Sequence, residues 1–249
     1  MNIFKIFSTA AAAAVLAVFA IGCAPAETPE AMVEAPPPLS TDVVTGDEQQ
    51  AMTPEMVLAD LKAGNERFVA GKLTPRDYLA QASATASGQY PKAVILSCLD
   101  SRVPPEIIFD QGIGDIFVGR IAGNFEDTGM LGSFEFATKA AGSKLIVVLG
   151  HTACGAIKGA ANDVELGNLT AMLDNFDAAI AAAREGTEGA DDASNPELVN
   201  MAIETNVRQT MADILERSPV IAEMVANGEV GIAGGVYDLA SGRVTWLDS

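Results

Sequence analysis

Histidine is all but missing from this chain: His151 is the single one among 249 residues. Cysteine is nearly as scarce, with only Cys23, Cys98 and Cys154. An iron–sulfur cluster generally takes four cysteine thiolates, so that class of cofactor is excluded. Basic side chains are also few, 15 Lys and Arg against 33 Asp and Glu, for a net charge of −18. Nucleic-acid binding needs a basic footprint, which rules that partner out. Such a charge suits a soluble protein in a salty or exposed setting and says nothing about fold. Phosphate cradles are absent too. Gly112, Gly114 and Gly119 approach the dinucleotide pattern, but Phe117 stands where the third glycine is required, and no Gly-x-x-x-x-Gly-Lys-Ser/Thr occurs. The one long apolar run, Ile6 to Gly22, is too short and too rich in small residues to be read as a membrane span.

That run reads instead as a leader, after the weakly positive start Met1-Asn2-Ile3-Phe4-Lys5. Ala20-Ile21-Gly22-Cys23 has the form of a bacterial lipoprotein cleavage box, with Cys23 as the lipidated residue, although Ala20 stands where Leu is usual. Ordinary cleavage near Ala24-Pro25-Ala26 is the alternative. Either way the expectation is export, to a periplasmic location, with membrane contact only through a lipid on Cys23. Residues 24–50, rich in Pro, Ala, Glu and Thr, read as a disordered tether. The division expected is therefore leader 1–23, linker 24–50 and one well-buried domain 51–249.

Within the domain, Thr53-Pro54-Glu55 is a good helix start, and its apolar stripe ends near Gly71. Leu73 to Gly88 reads as an arm with a short helix. Apolar strands are expected at Lys92–Leu96, Asp115–Val118 and Lys144–Leu149. Between and after them come helices following Pro104-Pro105, over Leu131–Ala141 and over Ala153–Ala160. Helices then cover Leu169–Arg184, Pro196–Arg217 and Val220–Ala226, with closing strands at Val230–Val236 and Arg243–Leu247. The fold class is α/β: a mostly parallel central sheet flanked by helices, with an N-terminal helical arm and C-terminal helices.

The rare residues are not scattered. Ser97-Cys98-Leu99-Asp100-Ser101-Arg102 follows the first apolar strand, and Gly150-His151-Thr152-Ala153-Cys154-Gly155 follows the third. Ligands bind at that edge of a parallel sheet. A His at i and a Cys at i+3 share a helix face, so His151 and Cys154 can meet one ion together with Cys98. Two thiolates and one imidazole suit zinc, and no further Cys or His remains for a closed structural site. In an extended stretch Cys98, Asp100 and Arg102 would face the same way, and the arginine would lower and orient the carboxylate. The plainer alternatives are two buried apolar cysteines with a core histidine, and an Asp–Arg surface pair.

Cys98-x-Asp100-Ser101-Arg102 followed by His151-x-x-Cys154-Gly155 resembles the β-class carbonic anhydrases. The likeness runs from Ala51 to the C-terminus and is closest over Gln89–Gly159, including Pro105-Glu106-Ile107-Ile108-Phe109, Ala122-Gly123-Asn124 and Gly132-Ser133-Phe134-Glu135-Phe136-Ala137. The resemblance implies one Zn2+ per subunit on Cys98, His151 and Cys154, and reversible hydration of CO2 to bicarbonate by zinc-bound hydroxide. It assigns Asp100, held by Arg102, to aiming the hydroxide, and Gln89, Phe117, Ala122 and Gly155 to substrate contact. It further implies a homodimer or dimer of dimers whose sites borrow residues across the interface. Ile121 departs from the Asn usual in the family. Ile95 and Ser97 replace the Trp and Gly of members with an inhibitory bicarbonate pocket, so an open site is expected. With no histidine besides the ligand, protons must leave through water to external buffer. Two other activities fit the same residues: hydrolysis of COS or CS2 on this scaffold, and non-catalytic zinc or bicarbonate binding by a lipoprotein.

Overall fold

The computed structural model describes residues 37–248. The expected leader with Cys23, and the first part of the expected linker, lie outside the described residues.

The linker expectation fails for residues 37–50, which belong to the folded unit. A first helix, α1 (Gly46–Ala51), is closed by a reciprocal cap in which Thr45 and Glu48 each bond the other's backbone. Ser40 pairs with the 75–77 segment, its N–H donating to Pro75 O at 2.8 Å and its carbonyl accepting from Asp77 N–H at 2.9 Å. Gln49 is buried and donates from Nε2 to Pro91 O at 2.8 Å and Ala141 O at 2.9 Å. Composition misses this arm because polar bonds fasten it rather than a run of apolar side chains.

Helix α2 (Pro54–Val69) starts at the expected Thr53 cap, and α3 (Tyr78–Thr85) follows the arm. The strands are β1 (Ala93–Ser97), β2 (Ile116–Arg120), β3 (Leu145–His151), β4 (Gly231–Tyr237) and β5 (Val244–Trp246), in the order β2-β1-β3-β4-β5. All pairings are parallel except β4–β5. Strands β1 and β3 are central and buried on both faces, which is why they read as unbroken apolar runs. Val94 and Leu96 face α5 (Thr128–Glu135), α9 (Pro196–Arg217) and α10 (Pro219–Ala226), whereas Ala93 and Ile95 face α2 and the short α4 (Pro105–Ile108). The remaining helices are α6 (Gly155–Ala161), α7 (Asn168–Leu173) and α8 (Asp177–Gly186).

Two helices depart from expectation. Helix α5 begins three residues early because Asp127 caps it, accepting from Met130 N–H at 2.7 Å, and it passes into a π turn at Phe136–Ala140. The single helix expected over Leu169–Arg184 is split by a 3-10 turn at Asp174–Phe176. That turn delivers the fully buried Phe176 edge-on to Phe125, with ring centroids 5.7 Å apart.

Candidate metal centre

Strands β1 and β3 are parallel neighbours with Ser97 opposite Leu149, so their C-terminal ends leave the sheet at the same edge. Cys98 is the first residue past β1 and His151 is the last of β3. The link from His151 to Cys154 is not the helical face expected. His151 stays in the strand, Ala153 turns the chain with φ +56°, and Cys154 is the N-cap of α6. The turn achieves the same convergence. Cys98 Sγ and Cys154 Sγ lie 4.0 Å apart, and the three ligand atoms of Cys98, His151 and Cys154 fall within 4.8 Å of one another, all buried.

These residues fit zinc. Two thiolates on a tetrahedral zinc sit about 3.8 Å apart, given Zn–S bonds of about 2.3 Å. His151 Nδ1 donates to the Thr152 carbonyl at 3.0 Å, which leaves Nε2 as the lone-pair nitrogen. That Nε2 is buried with no hydrogen-bond partner. An orphaned imidazole nitrogen beside two thiols is costly unless an ion takes the lone pair.

Electrostatics point the same way. The Cys98 thiol pKa is held below its usual range, chiefly by the adjacent Cys154 thiol, against the opposing effect of burial, with help from His151 and from the Gly123 N–H at 3.2 Å. Cys154 is pushed up by the Cys98 sulfur beside it and by burial. Two thiolates this close repel each other, so a cation between them favours ionising both sulfurs.

Asp100 reaches the site through a turn, not through the extended alternation expected. Its Oδ1 accepts from the backbone N–H and from Nε of Arg102, each at 2.9 Å, and its Oδ2 accepts from Arg102 Nη2 at 2.6 Å. The Arg102 hydrogen bonds hold the carboxyl far below the usual range. Oδ2 lies 3.9 Å from His151 Nε2, at the edge of the cluster.

Two contributors escaped the sequence reading. Arg120 donates from Nε to Cys98 O at 3.0 Å and from Nη2 to Asp100 O at 2.5 Å, bracing the ligand turn. Gly123 supplies the amide to Cys98, and its φ of +82° and the Phe176 ring against it leave no room for a side chain. Both act on or through backbone atoms, which no side-chain motif marks.

The expected substrate residues divide. Ala122 adjoins Gly123 in the loop after β2, and Gly155 opens α6 with no atom within 4 Å of where a side chain would begin. Gln89 and Phe117 are not brought to the cluster within one chain. Gln89 is exposed ahead of β1, whose five residues span about 17 Å and put it at the opposite edge from Cys98. Phe117 pairs with Val94 and lines an apolar pocket of about 460 Å³ with Met130 and the exposed Phe136. Ile121 packs between the two apolar clusters flanking the site, and its N–H donates to Ser97 O at 3.1 Å.

The family model described as carbonic anhydrase matches residues 93–244. Carbonic anhydrase 2 of Mycobacterium tuberculosis is 39% identical over 195 residues, covering 76% of this chain and 90% of its own length. The carbonic anhydrase of Pseudomonas aeruginosa is 33% identical, covering 77% of this chain and 88% of its own. Among solved structures, a tetrameric β-carbonic anhydrase from the fungus Sordaria macrospora superposes with a TM-score of 0.62 at 27% identity, covering 78% of this chain and 98% of that one.

Proposed function

This chain belongs to the carbonic anhydrase family, and from that membership we propose which of its residues carry the zinc-dependent interconversion of CO2 and bicarbonate, and how. The enzyme is a lyase, with Cys98, His151 and Cys154 available to hold its zinc. When bound, zinc supplies Lewis acidity that brings the pKa of a water down to the neutral range. The observation that carries the assignment is the Asp100 carboxylate, fixed by three bonds from Arg102 with one oxygen 3.9 Å from the ligand nitrogen of His151.

Asp100 is an acceptor that orients the attacking water by taking a hydrogen bond from its O–H, so the lone pair is aimed at carbon. Arg102 keeps the carboxylate ionised and turned toward the cluster, and its hold on both oxygens favours the open form over one in which Asp100 is a ligand. Ala122 adjoins Gly123, whose amide bonds Cys98, and Gly155 adjoins Cys154, and the small side chain and its absence there suit a small linear substrate.

Gln89 and Phe117 contribute from a second copy of the chain, which makes the active form a homodimer or a pair of dimers. Their placement away from the cluster of their own chain supports this, as does the exposed apolar ground around Phe117 and Phe136. Export to the periplasm and lipidation at Cys23 rest on the leader pattern Ile6 to Cys23.

Stopped-flow CO2 hydration by the zinc-loaded protein tests the assignment. The Asp100→Ala variant should lose about 10²-fold or more in kcat/KM, the scale of a positioned acid–base group, while still binding one zinc. A variant as fast as the parent would remove Asp100 from the chemistry.

A further inference from the structure

His151 offers Nε2 to a metal in the tautomer with the proton on Nδ1, and the group that favours and orients that tautomer is the carbonyl of the next residue, Thr152. A backbone carbonyl is common to every residue, so the decisive question is what fixes that peptide. The Thr152 N–H donates to Tyr237 O at 2.9 Å, carrying the β3–β4 ladder one residue past His151. Its hydroxyl accepts from the Leu239 N–H at 3.0 Å and donates to Asp238 Oδ2 at 3.4 Å. Asp238 is gripped in turn. Its Oδ1 accepts from the Ser241 N–H at 2.7 Å and the Ser241 hydroxyl at 2.6 Å, and its N–H donates to Arg243 O at 2.8 Å. The turn between β4 and β5 supplies no ligand, yet it holds the residue between two of them.

Ala153 shows why a grip is needed. With φ at +56° it occupies the left-handed region, which is costly for an L residue and persists only where the surroundings enforce it. Releasing Thr152 lets the 152–153 peptide relax. Relaxation takes the Thr152 carbonyl off Nδ1 and moves Cys154 relative to His151, so both metal ligands on this segment lose their setting together. Thr152 and Asp238 line an open groove of about 460 Å³ with Ser241 and Arg243. Water can therefore satisfy the Leu239 N–H when the hydroxyl is removed, and folding is spared the penalty of a sealed orphan.

We propose that Thr152 and Asp238 are positioning residues for the metal, acting from the β4–β5 turn to fix the His151 tautomer and the strained turn that delivers Cys154. This rests on the zinc reading above and extends it to residues outside the ligand set.

The test compares Thr152→Val, Thr152→Ser and Asp238→Ala with the parent in the full-length protein. Zinc affinity is measured by competition with a chelator, ligand geometry by the visible spectrum of the cobalt form, and folding by thermal unfolding of the metal-free form. Thr152→Val should bind zinc 10–100-fold more weakly, the usual cost of losing a group that orients a ligand, with altered cobalt bands and a metal-free Tm close to the parent's. Thr152→Ser, which keeps the hydroxyl, should recover affinity to within a few-fold, and Asp238→Ala should fall between. Parental affinity and cobalt spectrum in Thr152→Val would overturn the proposal. So would weakened binding that serine fails to rescue and that merely follows a fall in metal-free Tm. A parent protein that takes up no zinc would instead overturn the metal reading itself, and this inference with it.

Discussion

Asp110 holds two arginines with a side chain that is 1% exposed: Arg67 Nε donates to Oδ2 at 2.6 Å, and Arg76 Nη1 donates to Oδ1. Thr74 adds its N–H at 3.1 Å and its hydroxyl at 2.8 Å, so one carboxylate ties α2, the 73–77 arm and the end of α4 together. Burial alone would raise its pKa, but the bonds from Arg67, Arg76 and Thr74 outweigh burial and the net shift is downward. Asp110→Asn keeps a residue that tolerates the φ of +50° while removing the charge. Breaking such a pair should cost about 3 kcal/mol in urea unfolding at pH 7. A depressed pKa contributes stability that is complete above the unfolded value of about 4 and is lost as pH falls through the lower folded value. The gap between parent and variant should therefore hold steady from pH 8 to about 5 and shrink below about 4. A gap that stayed constant down to pH 3 would contradict the ionic account. Asp110 gave no hint in the sequence, because a lone acid among 33 is unmarked. Cys98, His151 and Cys154 were legible for the opposite reason: the folded part has no others to confuse them with. Asp100 and Arg102 were legible by their nearness to Cys98, although a turn and not strand alternation brings them to the site. Arg120 and Gly123 drew no role from the sequence, because they meet the Cys98 turn through backbone carbonyls and a backbone amide.

Elements were legible where burial alone dictates them. Strands β1 and β3 are apolar up to their last residues and buried throughout, so their position and even the ends that carry the ligands could be read. The arm at residues 37–50 could not, since Gln49 fastens α1 through one side-chain amide. Gln49→Ala frees the Pro91 and Ala141 carbonyls of that amide. One of the two bonds is fully buried, so a loss of about 1–3 kcal/mol in chemical denaturation is expected. The Pro91 carbonyl also accepts from Ser143 Oγ at 2.7 Å, which places the loss toward the lower end. A change within experimental error would show the arm to be only loosely attached. The split between α7 and α8 was illegible too. Its cause is the seat of Phe176 against Gly123, a contact between residues 53 positions apart that no local periodicity encodes.

For the whole molecule, the decisive fact is that Gln89 and Phe117 lie away from the cluster of their own chain. If they serve a partner's site, two crippled chains should rescue each other. Mixing Gln89→Ala and Asp100→Ala subunits by unfolding and refolding together creates dimers in which one site has both wild-type residues. Activity should then rise above either parent variant, approaching half that of a wild-type site pair in mixed dimers. No gain on mixing would place Gln89 outside the chemistry or in its own chain's site. The ligands have a further property that concerns time. Cys98 and Cys154 are 56 residues apart and follow the ends of β1 and β3, so no short segment of the chain can present both sulfurs. Long-range parallel pairing forms slowly, because loop closure precedes its reward. Zinc capture by all three ligands therefore waits on the register between β1 and β3. A nascent chain, released residue by residue, cannot close its metal site before Cys154 has emerged and docked.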